Sequence, residues 1–107
     1  MAKRIDFLHP EFHKGINSTV RLGNKKDLYY VGQFVGLYKT GEEEPSGYAV
    51  VTNVRVKPYN DLTETDIKYQ HDAETQTLSG LWEAMTKAYG EKITPESTVT
   101  IVYFETE

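Results

Sequence analysis

Three β-rich runs follow one another in this chain with only turn residues between them. "STVRL" (Ser18–Leu22) leads through "GNKKD" into "LYYVGQFVGLYKT" (Leu28–Thr40), and "GEEEPSG" leads on into "YAVVTNVRVKPY" (Tyr48–Tyr59). Each run is dense in β-branched and aromatic residues, which fit a pleated, half-buried surface. Parallel neighbours need a crossover of about a dozen residues or more, usually a helix. Connections this short predict a mainly antiparallel sheet and argue against parallel α/β architecture. Gly32 and Gly36 interrupt the second run and predict a bend or bulge. The third run ends before Pro58, whose ring restricts the residue ahead of it.

Helical signals flank these strands. "HPEFHKGI" (His9–Ile16) predicts a short helix, with Pro10 in its first turn, Phe12 and Ile16 on one face and Gly15 as its stop. Thr63-Glu64-Thr65-Asp66 resembles a capping box with Asp in place of the usual Glu. Leu78, Leu81, Trp82, Met85 and Tyr89 recur at helical spacing, and Gly90 follows as a stop. In the last run, "STVTIVYFE", apolar residues occupy both parities: Val99, Ile101 and Tyr103 against Val102 and Phe104. That pattern predicts a strand covered on both faces. The order predicts an α+β fold, a small and strongly curved, mainly antiparallel β-barrel with two to three packed helices. The 107 residues suit a single domain, 1–107.

The totals exclude several classes of function. There is no cysteine, so zinc-thiolate sites, disulfides and thiol catalysis are excluded. No run approaches the roughly 20 apolar residues of a membrane helix, and no apolar signal-peptide core follows the basic start. A cytoplasmic location is the expectation. The net charge of −4, from 12 basic and 16 acidic side chains, argues against nucleic-acid binding by bulk charge. The charge is uneven, however. Residues 1–26 hold six basic and two acidic side chains, a balance of +4, and the remainder six and fourteen, a balance of −8. A locally positive pocket on an acidic body suits a small anionic ligand or a few phosphates.

Few residues carry chemistry by pattern. His9 and His13 are four apart, and His71 lies near Asp72 and Glu74, but no HExxH motif surrounds them and no metal is expected. Neither a P-loop nor GxGxxG is present. Ser18 and Thr19 are hydroxyls beside basic residues, with no histidine close in sequence to activate them. Tyr29, Tyr30, Phe34 and Tyr38 lie near the basic segment, where exposed rings can stack bases, although most aromatics of so small a domain must fill its core. Glu42-Glu43-Glu44 reads as a solvated loop.

The run "GINSTVRLG…YYVGQFVGLY" resembles the opening of ASCH domains, a branch of the PUA-like superfamily. Gly15, Ser18, Thr19 and Arg21 match its G-x-K-T-T-x-R pattern with Ser18 for Thr, and Val31-Gly32-Gln33 matches a following VGD-like step. "DLTETDIKYQHDAETQTLSGLWEAMTKAYG" and "VTIVYFE" resemble the family's later helices and closing strand. The resemblance implies a small β-barrel with a cleft beside it, no cofactor, and RNA or a modified nucleoside as partner. It also implies a ligand-binding set of Asn17, Ser18, Thr19, Arg21, Lys25 and Glu74 in a monomer or weak dimer. The alternative that it implies is an amidohydrolase acting on N4-acetylcytidine-type nucleosides. In that branch a lysine, a threonine and a glutamate carry the reaction. The threonine falls on Thr19 and the glutamate on Glu74, but the lysine falls on Asn17. Asparagine cannot accept a proton near neutral pH, so the binding reading leads.

Overall fold

The computed structural model describes residues 2–106. Five strands form one sheet: β1 (Lys3–Phe7), β2 (Ile16–Leu22), β3 (Phe34–Lys39), β4 (Gly47–Pro58) and β5 (Thr98–Thr106). Two α-helices, α1 (Glu64–Ile67) and α2 (Leu78–Tyr89), lie in the chain between β4 and β5. The spatial order is β1-β3-β4-β5-β2. All neighbours are antiparallel except β1 and β3, which pair in parallel from Lys3↔Val35 to Phe7↔Lys39.

The sheet does not close into the expected barrel. Among the described residues no ladder joins β1 to β2. The place beside β2 is taken by Tyr69–His71, which bonds to one residue of it: the Ser18 N–H donates to the Tyr69 carbonyl at 2.8 Å, and the His71 N–H donates to the Ser18 carbonyl at 3.0 Å. β1 adds a strand to those that the sequence pattern marks. Its alternation is short, with Ile5 and Phe7 buried and Arg4 and Asp6 exposed.

The helix expected over Pro10–Gly15 is also absent. Asn17 Oδ1 accepts the His13 N–H at 3.1 Å, and Asn17 Nδ2 donates to the His13 carbonyl at 2.8 Å and to the Gly15 carbonyl at 3.3 Å. These bonds occupy the groups that an α-helix would pair internally. Gly36 is not a bend either. It sits within β3 because the Tyr38 ring lies over it, where a Cβ would come within 2.8 Å of the ring.

The other elements follow their sequence signals. Thr63 and Asp66 form the capping box that starts α1, and Thr77 caps α2 by accepting the Gly80 N–H. Gly90, with φ of 59°, ends α2. β4 carries a bulge between Val51 and Asn53. Every residue of β5 from Val99 to Phe104 is buried. Val99, Ile101 and Tyr103 pack with Val20, Leu81 and Met85 on the helical side. Val102 and Phe104 pack with Ile5, Phe7, Val35 and Leu37 on the other.

One glycine sets how closely α2 approaches the preceding 3-10 turn at Ala73–Thr75. A Cβ at Gly80 would run into the Glu74 carbonyl. Alanine favours a helix over glycine by about 1 kcal/mol, but backbone crowding costs more, typically 1–3 kcal/mol. Gly80→Ala is therefore expected to lower the stability measured by urea unfolding by up to about 2 kcal/mol, and a raised midpoint would contradict that close approach.

Candidate functional site

A cleft of about 290 Å³ opens between the end of β1, the cleft-side residues of β2, the Gln70–Asp72 segment and one face of α2. Ala84 and Ala88 supply much of the room on the helix side, since they stand beside Met85 and Tyr89 with only a methyl group each. β2 contributes Thr19 and Arg21, two residues apart and so on one side of the strand.

Arg21 is the site's strongest group. Its Nε donates to Thr19 Oγ1 at 3.1 Å, and its Cζ lies 4.9 Å from the centre of the Phe7 ring, within cation–π range. Among the described residues no carboxylate lies within 4.0 Å of the guanidinium. Burial pulls its pKa below the usual value, against smaller opposing effects of Tyr29, Tyr89 and Asp6. A guanidinium nevertheless keeps its proton in proteins. The cleft thus holds a half-buried cation with no carboxylate within 4.0 Å among the described residues.

His71 stands opposite in chemical character. Its Nδ1 lies 3.0 Å from the Glu11 carbonyl. A carbonyl only accepts, so Nδ1 carries the hydrogen and Nε2 keeps a lone pair. The ring sits edge-on to Phe7 at 4.8 Å and tilted against Phe12 at 5.6 Å. Burial lowers its pKa, helped by the charges of Arg21 and His13 and opposed by the Glu11 carbonyl and Asp72. His71 is therefore a neutral acceptor at neutral pH.

Asp72 adds a carboxylate: one oxygen accepts the Glu74 N–H at 3.0 Å and caps the 3-10 turn. The other carboxylate of the lining, Asp6, is held by Arg4 at 2.6 Å. Behind the wall runs a buried chain in which Ser18 Oγ donates to Gln70 Oε1 at 2.9 Å and Gln70 Nε2 donates to Thr75 Oγ1 at 3.3 Å. It fixes the Gln70–Asp72 segment against β2.

The predicted ligand set is only partly gathered here. Thr19 and Arg21 line the cleft; Asn17, Ser18, Lys25 and Glu74 do not. Asn17 is fully buried and turned to main chain, and Ser18 belongs to the chain of bonds behind the wall. Lys25 is anchored through its N–H to Thr100 Oγ1 at 2.8 Å. Glu74 is exposed on the 3-10 turn. The cleft instead recruits His71 and Asp72, which the sequence raised only as candidate metal ligands, and Tyr89, raised only as part of the α2 stripe. Among the described residues no three His, Asp or Glu side chains cluster as a metal site requires.

No family model matches the sequence, and no curated protein sequence matches it. Solved structures do match. An ASCH domain from Lactobacillus crispatus JV V101 superposes with a TM-score of 0.67 at 13% identity, over 84% of this chain and 63% of that one. The chain folds as an ASCH domain does. A second match to the ASCH-like architecture is a DUF984 protein from Enterococcus faecalis V583, with TM-score 0.56, 15% identity and coverage of 84% and 62%. A third is the hypothetical protein PH0355, with TM-score 0.61, 16% identity and coverage of 88% and 82%. The chain thus spans under two thirds of the length of the first two. Among its described residues no helix is long and apolar enough to cross a membrane.

The cleft makes stability depend on pH through His71. Its folded pKa lies below the unfolded value of about 6.5. The unfolded chain therefore binds more protons just below that value, and stability falls as the pH falls. The contribution is complete above about pH 6.5 and is lost as pH drops toward the folded value. Urea midpoints should fall between pH 7.5 and 5.5, and His71→Gln should flatten that slope; an equal slope in the variant would remove His71 as its origin.

Proposed function

We propose that the cleft binds a nucleoside unit, free or within RNA, by reading hydrogen-bonding edges. The observation that carries this reading is the half-buried guanidinium of Arg21, unpaired by any carboxylate within 4.0 Å among the described residues, facing acceptors across the same cleft. Arg21 donates, whereas neutral His71 Nε2 and the free oxygen of Asp72 accept. A nucleobase edge presents acceptors and donors side by side, and a pocket near 300 Å³ suits one small ligand. The half-buried Tyr89 adds a ring that can complement a base face. Two carboxylates in the lining disfavour a free phosphate as the main occupant. The resemblance to ASCH domains, which implies RNA or nucleoside ligands, agrees with this chemistry.

The amidohydrolase reading has less support. Thr19 is at the cleft, but the position of the family lysine is Asn17, whose amide is committed to the main chain of His13 and Gly15. Glu74 lies outside the lining.

A nucleoside panel followed by amide NMR shifts tests the proposal. Shifts are expected together at Thr19, Arg21 and His71 for at least one nucleoside. Arg21→Gln should weaken that binding about tenfold or more, in line with the roughly 1.5–3 kcal/mol of a charge-assisted hydrogen bond. Absence of shifts at all three positions would sink it. N4-acetylcytidine should yield no acetate above background; release that disappears in Thr19→Ala would establish the hydrolase instead.

A further inference from the structure

A second concavity lies on the other side of the segment that walls the cleft. It has a volume of about 300 Å³ and is lined by Arg55, Lys68, Tyr69, Tyr103, Thr52 and Asn53, among others. Its charge pattern inverts that of the molecule. The chain is acidic overall, yet among the described residues no carboxylate lines this groove, and both ionised side chains in it are cations. The nearest candidate counter-charge is Asp66, which is almost wholly buried and outside the lining. Asp66 Oδ2 accepts from Lys57 Nζ at 2.8 Å and from the Thr63 N–H at 2.9 Å, while Arg55 stands 3.6 Å from its other oxygen with its own side chain more than half exposed. Two cations, Arg55 and Lys57, thus share one neutralising carboxylate, and among the described residues Lys68 has no carboxylate within 4.0 Å.

The groove's other features are aromatic and rigid. Lys68 Nζ lies 5.0 Å from the centre of the Tyr69 ring, and Arg55 Cζ lies 6.0 Å from that of Tyr103. Tyr69 is 40% exposed although its backbone is pinned, its carbonyl accepting from the Ser18 N–H and facing His13 Nε2 at 3.1 Å. An exposed aromatic ring on a fixed backbone is a stacking platform whose ordering cost is already met by the fold. The bulge in β4 falls between Val51 and Asn53, so Thr52 stands out of register with its strand neighbours and lines the groove. Bulges re-aim side chains in this way beside binding sites.

We propose that this groove binds the phosphate backbone of single-stranded RNA, one or a few nucleotides from the unit held in the cleft. Lys68 and Tyr69 line the groove, and the next residues, Gln70 and His71, line the cleft. Residues adjacent in sequence thus serve the two sites. Carboxylates in the cleft and none in the groove divide the work: the cleft reads a base and the groove holds the backbone. The placement of the neighbouring base rests on the nucleoside reading, whereas the anion chemistry of the groove stands on its own residues.

The test uses the full chain, followed by amide NMR, with three probes: tripolyphosphate, the nucleoside panel and a single-stranded hexanucleotide. Tripolyphosphate should shift Arg55, Lys68 and Tyr69. Lys68→Gln and Arg55→Gln should each weaken the hexanucleotide several-fold and reduce the slope of log affinity against log salt by about 0.7 for each phosphate no longer neutralised. Tyr69→Ala should weaken it about tenfold. Nucleoside shifts at Thr19 and Arg21 should persist in all three variants. Lys68 is exposed, so its variant keeps the test valid should Arg55→Gln unsettle Asp66. Groove shifts without nucleoside shifts would support the groove and overturn the nucleoside reading. Nucleoside shifts with a silent groove and an unchanged salt slope would overturn the groove alone. Tighter binding of an oligoglutamate than of the hexanucleotide would overturn RNA as its occupant.

Discussion

β5 is the element on which everything else hangs. It is paired on both edges, with β4 and β2, and buried on both faces from Val99 to Phe104. A fully buried Val, Ile or Phe contributes roughly 1.5–3 kcal/mol, against about 1 kcal/mol net for an ordinary hydrogen bond. This one strand therefore outweighs any single polar contact at the cleft. It also separates two apolar clusters, one beneath the helices and one beneath β1 and β3. The register Thr19↔Val102 and Arg21↔Thr100 sets the height at which the cleft residues stand on β2.

That anchoring is what lets the cleft keep an unfavourable group. A guanidinium taken from water without a counter-ion costs several kcal/mol unless it is compensated. Thr19 Oγ1 and the Phe7 ring compensate in part. A group with acceptors at the right height would recover more of that cost. The neutral His71 and the half-used Asp72 carboxylate complete a surface with both donors and acceptors, which a simple anion site would not need.

Much of the fold was legible in the sequence because it rests on local patterns. The α2 stripe, the Thr63–Asp66 box, the Gly90 stop and the double-sided β5 all follow from spacing and cap chemistry. The failures have two causes: a local side-chain bond that periodicity does not register, and partners distant in sequence. Asn17 turns the His9–Gly15 run away from a helix by side-chain bonds that no periodicity reveals. β1 takes its identity from a parallel partner some thirty residues on, from Lys3 to Val35. Tyr69–His71 occupies the edge that a closed barrel would have used. At the cleft, Thr19 and Arg21 were legible through the resemblance of Gly15–Arg21 to the G-x-K-T-T-x-R pattern. His71, Asp72 and Tyr89 were not, because a turn and a helix face bring them to that strand only in the folded chain.

The pairing of β2 with β5 also dictates when the site can exist. Val20 finds its partner in Ile101, and Ser18 bonds to Tyr69 and His71. Both walls of the cleft therefore depend on contacts between the first fifth of the chain and its later parts. Such long closures are slow and come late in folding. On the ribosome β2 emerges early and must wait, its apolar face uncovered, until the last strand has been made. Arg21 and Ser18 on that waiting strand are polar and keep part of it hydrated in the interval.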